Sequence, residues 1–217
     1  MASSIITPAR IRTDLYSFSS RRGNSPCVLS VVSSLLYRII ARNERIKPEI
    51  CKDSSSPCPF SATWVPDIGI EKFLERIFKY LRCSPSVFVV AYAYIDRLTY
   101  YHSTTFRVTS LNVYRLLITS VMIAAKFLED VNYNNAYYAE IGGMKTKEMN
   151  KLEVEFLFKL NFKMHVTVSV FQSYCAHLER EVARGGGYQI ERILGFISSS
   201  RDDSQKKKSL QICKYGR

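Results

Sequence analysis

Apolar residues recur three and four apart through most of the chain, and this spacing predicts a succession of helices. From Val28 to Asn43 they stand at Val28, Val31, Val32, Leu35, Leu36, Ile39 and Ile40, with Arg38 and Arg42 outside the stripe. An amphipathic helix over 28–45 follows. Residues 44–66 hold four prolines and many serines and read as a loop. Asp67, just after Pro66, is placed to cap the next helix. Its buried stripe is Ile70, Phe73, Leu74, Ile77, Phe78 and Leu81, while Glu71, Lys72, Glu75, Arg76 and Lys79 face water. Ser84-Pro85 opens another helix, because serine caps well and the missing proline N–H would be unpaired in the first turn anyway. Phe88, Ala91, Tyr92, Ile95, Leu98 and Thr99 make its inner face.

The stretch Asn112–Asp130 is different. It is apolar on almost every face from Leu116 to Ala125, so it must be enclosed by other helices. As a helix it spans roughly 28 Å. Arg115 and Lys126 bracket only about ten apolar residues, too few to cross a bilayer, and no membrane association is expected. The run then ends abruptly in Lys126, Phe127, Leu128, Glu129 and Asp130. After it, Asn134 or Asn135 can cap a short helix through Tyr138 and Ile141. That helix stops at Gly142-Gly143, since glycine tolerates the left-handed conformation beyond a helix end. Thr146 can cap a helix with the stripe Met149, Leu152, Phe156, Leu157 and Leu160, and Lys151, Glu155 and Lys159 lie four apart outside it. A last helix over 167–184 turns Val170, Phe171, Tyr174 and Leu178 inward and ends at Gly185-Gly186-Gly187. No strand alternation stands out, so the expected class is all-α.

Composition sharpens this picture in three places. The 217 residues are 47% hydrophobic, with 14 Tyr and 12 Phe, enough for one domain with a real core. The net charge of +12 is unevenly spread: residues 1–27 carry +3 and residues 201–217 carry +4. Both flanks, 1–27 and 191–217, are polar and basic and are expected to be disordered; the Ser- and Arg-rich start also suits an organelle transit peptide. With much of the charge in the flanks, nucleic acid is not the expected partner. Third, the six cysteines contain no C-x-x-C pair and fit reduced thiols of an intracellular protein, in nucleus or cytoplasm. His102, His165 and His177 have no nucleophile or metal-ligand constellation about them. No catalytic residue or metal site stands out, and no cofactor or small-molecule substrate is expected.

Three ordered marks then carry a resemblance. Tyr94-Ile95-Asp96-Arg97, Ala124-Ala125-Lys126-Phe127, and Lys151-Leu152-Glu153 followed by Phe158-Lys159-Leu160-Asn161-Phe162 resemble the recurring motifs of a cyclin box. The stretches CSPSVFVVAYAYIDRL, KFLED and GGMKTKEMNKLEVEFLFKLNF look like the plant U-type (P-type) cyclins, which are similar to the yeast cyclin of the phosphate response. The resemblance spans about residues 28–190. It implies a single five-helix cyclin box over 67–166, with the amphipathic helix before it and one extra helix after it. A second box would need about another hundred residues.

The family implication is the regulatory subunit of a cyclin-dependent protein kinase, forming a heterodimer and placing the kinase αC helix. By resemblance, Lys126 donates to backbone carbonyls of the kinase and Glu153 works beside it. Ile123, Phe127, Leu157, Phe162 and Met164 match the apolar positions of the αC pocket. Tyr94, Asp96 and Arg97 have structural tasks; in the family that aspartate pairs with an arginine of the first helix. The segment Pro66–Phe73 lacks the arginine and tryptophan of the M-R-x-x-L-x-x-W substrate-docking pattern, so no such patch is expected. Two other readings stay open: a cyclin-fold transcription or nucleic-acid adaptor, and a variant that binds a kinase without activating it.

Overall fold

The computed structural model describes residues 6–16, 25–45, 58–130 and 132–183. Within them the chain is all-α, in the order α1 (Pro8–Tyr16), α2 (Cys27–Arg45), α3 (Ile70–Leu81), α4 (Pro85–Tyr101), α5 (Val113–Leu128), α6 (Asn135–Gly142), α7 (Thr146–Lys159) and α8 (Val168–Ala183). The five helices α3 to α7 lie between α2 and α8. The expected tail over 191–217 and the Gly185–Gly187 stop lie outside the described residues.

Two helices form the interior and pack against each other. α5 is buried at Val113 and from Leu116 to Ala125. α4 is enclosed as fully, with Pro85 and every residue from Val87 to Leu98 buried. The apolar pattern singles out α5 alone, because α4 fills its outward positions with Ala93, Tyr94 and the polar pair Asp96 and Arg97. Tyr94 and Arg97 reach the segment after α7, and Asp96 reaches α8, as shown below.

Short-range signals set several helix ends. Ser84 Oγ accepts from the Ser86 N–H at 3.3 Å, with Pro85 as first residue. Asn134 Oδ1 accepts from the Tyr137 N–H at 3.0 Å. Gly143 sits at φ +69° after α6, where a side chain would be strained. Two expected caps are different. Asp67 does not cap α3, which begins at Ile70 behind Gly69; instead the Ile70 N–H donates to the Tyr37 hydroxyl of α2 at 2.9 Å. Thr146 is the first residue of α7 rather than its cap, and Lys145 holds the cap position without a side-chain bond.

The expectation of disorder across 1–27 fails over its described part. Residues 8–16 form α1, which packs on α8 and α2. Ile11 and Leu15 are buried, and Arg12 pairs with Glu179 of α8 at 2.7 Å. The Asp14 carboxylate accepts the Cys27 and Val28 N–H groups at the start of α2, Val28 at 3.3 Å. A carboxylate there satisfies orphan donors and meets the positive end of the helix dipole. Two apolar residues four apart were the only sequence signal, and the flanking Ser and Arg outweighed it.

Candidate partner-binding surface

The apolar run of α5 breaks at Lys126, and three helices meet there. Lys126 Nζ stands 2.7 Å from Glu153 Oε1 of α7. It also donates to Asn135 Oδ1 of α6. Asn135 Nδ2 donates to Glu153 Oε2 at 2.7 Å and to Asn150 Oδ1 at 2.7 Å. The result is a closed ring of Lys126, Asn135 and Glu153. A part-exposed ion pair of this kind stabilises the fold by under about 1 kcal/mol. Its geometric effect is larger: the ammonium is held in place, 31% exposed, with a third donor left over.

Large apolar side chains flank the ring. Phe127 and Leu128 at the end of α5, Val154 and Phe158 on α7, and Phe162 beyond it are each between 46% and 63% exposed. Leu157 is half-buried. Phe158 and Phe162 meet edge to face, with ring centroids 5.1 Å apart. Most other described phenylalanines are enclosed, which makes this exposed aromatic group a candidate contact surface.

The turn after α7 has an uncommon backbone. Asn161 and Phe162 have φ of 51° and 55°, and a bulky residue in the left-handed region is strained by about 1 kcal/mol or more. The Phe162 N–H donates back to Leu157 O at 3.0 Å. What holds the following residues is the Tyr94–Arg97 segment of α4. The Tyr94 hydroxyl donates to Met164 O at 2.8 Å, and Arg97 donates to Lys163 O and, at 3.3 Å, to His165 O. Three consecutive carbonyls are thus clamped from the core. Burial pushes the Tyr94 phenol up to about 12, so it stays a donor. Asp96 accepts from the Tyr174 hydroxyl of α8 at 2.9 Å. Burial, and then the Asp96 carboxylate, push that phenol up as well.

The sequence-predicted residues therefore separate by location. Lys126 and Glu153 come together in the ring. Phe127 and Phe162 project outward, with Leu157 between core and surface. Ile123 and Met164, expected on the same pocket wall, are buried at 4% and 9% exposure; α5 turns Ile123 inward, and the clamp draws Met164 in. Leu128, Val154, Phe158, Asn135 and Asn150 stand beside the predicted residues of this surface, though the sequence assigns none of the five a partner contact. Phe158 could have been found, since it falls off the Met149–Leu152–Phe156–Leu160 stripe of its own helix. Asn135 gave no signal beyond helix capping.

Of the histidines, His102 Nε2 lies 2.9 Å from Lys159 O, His165 is exposed in the clamped segment, and His177 is buried on α8. Among the described residues, no group of three or more His, Cys, Asp or Glu could hold a metal ion. No described helix is long and apolar enough to cross a membrane.

Comparison with known proteins supplies the context for this geometry. The Cyclin family model matches residues 27–164. Cyclin-U2-1 of Arabidopsis thaliana is 51% identical over 196 residues, covering 89% of this chain and 87% of its own length. Cyclin-P2-1 of Oryza sativa subsp. japonica is 45% identical over 190 residues, covering 86% and 87%. Cyclin-U1-1 of Arabidopsis thaliana is 47% identical over 164 residues, covering 76% and 78%.

Proposed function

The chain belongs to the cyclin family, and from that premise we propose that it is a regulatory subunit that binds a cyclin-dependent protein kinase. It regulates that kinase in cell division or in nutrient (phosphate) signalling, within the nucleus or cytoplasm. The observation that supports this reading is the exposed Phe127, Leu128, Phe158 and Phe162 around a preset Lys126–Asn135–Glu153 ring. A kinase is active only when the lysine of its third strand pairs with the glutamate of its αC helix. A partner that binds the αC-in state more tightly than the αC-out state shifts the population toward activity. The exposed phenylalanines give the apolar contact, and the spare donor of Lys126 addresses a backbone carbonyl of the kinase. The cyclin contributes position, and the chemistry belongs to the kinase.

The test is affinity capture from plant cell extract with the tagged full chain, its Lys126→Glu variant and its Phe158→Ser variant. The wild type should retain a cyclin-dependent kinase with histone-kinase activity. Both variants should lose most of it while keeping their helical circular dichroism. Capture of the same kinase by all three proteins would remove this surface from the interface. Capture of a kinase without activity would point to the non-activating reading. DNA binding with a steep salt dependence and no captured kinase would favour the adaptor reading.

A further inference from the structure

We infer that Thr7 is a phosphorylation site for a proline-directed protein kinase, and that the phosphate fastens α1 to α2 and α8. Among the described residues a hydroxyl side chain stands directly before a proline at three places, Thr7-Pro8, Ser25-Pro26 and Ser84-Pro85, and all three hydroxyl residues are exposed. A kinase takes its substrate segment in extended form, and the residue before a proline is biased toward that conformation. The proline also has no N–H to leave unpaired when the segment is enclosed. A proline-directed kinase reads these two features, and the surroundings then separate the three positions.

Ser84 stands beside a carboxylate: its N–H donates to Glu129 Oε1 at 2.9 Å, and its Oγ already caps α4. Ser25 lies two residues before Cys27, whose N–H, with that of Val28, is taken by the Asp14 carboxylate. A phosphate carries a charge near −2, so at either position it would meet an acid. Thr7 is different. The first acid after it along the chain is Asp14, seven residues on, and Arg10 follows it by three. The Arg10 N–H donates to Thr7 Oγ1 at 3.4 Å, and the Thr7 carbonyl accepts from Arg10 and Ile11. A phosphate on Oγ1 is therefore placed among the N–H groups of the first turn of α1, with an arginine in that turn. Ile6, beside Thr7, borders a hollow of about 210 Å³ whose one acid, Glu181, is already paired with Arg38.

The step is a phosphoryl transfer from ATP. Thr7 Oγ1 bonds to the γ-phosphorus, the bond from that phosphorus to the ADP oxygen breaks, and the hydroxyl proton passes to the kinase's catalytic aspartate. Pro8 to Arg10 are helical when α1 is docked, so the kinase meets this segment while α1 is open. Only Ile11 and Leu15 of α1 are buried, and a segment with so few buried contacts opens at the low end of the free-energy scale. Once added, the phosphate sits at the positive end of the helix dipole and favours the helical, docked form. The inference does not depend on what the Phe127 and Phe158 surface binds, because any kinase of this class can act on Thr7 without being held there.

The experiment incubates the purified full chain with ATP and a purified proline-directed kinase that favours a basic residue three positions after the hydroxyl. Peptide-mapping mass spectrometry reads the product. Thr7 should be modified at least about fivefold faster than Ser25 or Ser84, and Thr7→Val should remove this product. Arg10→Ala should slow the reaction at Thr7 at least about threefold, whereas Ile11→Ala, which loosens α1, should quicken it. Hydrogen exchange over residues 8–16 should slow at least about threefold in the phosphorylated chain and recover after phosphatase treatment. The tagged full chain from dividing or phosphate-starved plant cells should carry a phosphatase-sensitive phosphoryl group on Thr7. Modification confined to Ser25 or Ser84, an Arg10→Ala chain modified as fast as wild type, exchange that is unchanged or faster after phosphorylation, or an unmodified Thr7 in both kinds of cell would each overturn the assignment.

Discussion

Phe162→Gly should weaken partner binding strongly while costing the fold only about 2 kcal/mol. Phe162 is 58% exposed. Taking an aromatic side chain as about 200 Å², roughly 115 Å² of this ring is open to a partner. At about 25 cal/mol per Å² that area is worth up to about 3 kcal/mol once covered, near a hundredfold in affinity. Association never returns the whole of the area term, so the loss should fall between ~10-fold and ~100-fold. Within the free chain two effects oppose. Removing the ring ends its edge-to-face contact with Phe158, a loss of about 0.5–1.5 kcal/mol. Glycine relieves the left-handed strain at φ 55°, a gain of about 1 kcal/mol or more. The roughly 85 Å² of ring already covered in the free chain adds a loss of about 2 kcal/mol, so the net loss should be about 2 kcal/mol, or about 4–8 °C in Tm for a chain of this size. Thermal melts followed by circular dichroism read the change in stability. Titration against the captured kinase by interferometry reads the change in affinity. A Tm lowered by more than about 8 °C would make Phe162 a core residue, and an unchanged affinity would remove it from the interface; either result refutes the reasoning.

Other changes address the parts that support this surface. Ile11→Ala should lower unfolding free energy by ~2–4 kcal/mol in urea melts, because Ile11 is fully buried; an unmoved midpoint would mean that α1 does not dock. Tyr94→Phe leaves the Met164 carbonyl without its buried donor, which should destabilise by about 1–3 kcal/mol. Hydrogen exchange should show faster amides over 161–165, and no change there would dismiss the clamp. Burial, opposed by Glu181 and assisted by Arg180 and Arg38, holds the His177 imidazole below its ordinary range. The unfolded chain then takes up this proton first, so the stability is full above about pH 6.5 and falls as pH drops below it. His177→Gln should flatten the fall in Tm between pH 7 and 5, and an identical pH slope in wild type and variant would rule this out.

What the sequence could show depended on the range over which each feature is determined. Helices declared themselves because their buried residues repeat within one turn or two. Ser84, Asn134 and Gly143 declared their ends because each cap is made within three residues. The Tyr37 hydroxyl at the start of α3 comes from 33 residues away, and no local pattern could announce it. The same holds for Asp14 at the start of α2 and for the left-handed backbone at Phe162. The full enclosure of α4 was hidden for another reason. Alanine and tyrosine suit either environment, so only the packed structure tells that Ala93 and Tyr94 are buried. The residues expected to line one apolar pocket were legible as residue types, but their depth was not. Ile123 and Phe127 are four apart and belong to one helix face, yet the last turn of α5 carries one of them out of the core.

The buried motif on α4 and the exposed surface are parts of one device. Tyr94 and Arg97 never reach the outside, yet they hold three successive carbonyls of the segment that follows Phe162. Without that clamp a bulky residue in the left-handed region would relax toward an ordinary conformation, and the ring beside Phe158 would turn away. The Lys126–Asn135–Glu153 ring works the same way on the polar half of the surface, drawing one residue from each of α5, α6 and α7. Groups fixed before contact lose little side-chain entropy on binding, and that loss otherwise runs to about 0.5–1.5 kcal/mol for each immobilised side chain. Changes at Tyr94 or Arg97 should therefore weaken the partner's grip from a distance, through the conformation of Phe162 and not through any contact of their own.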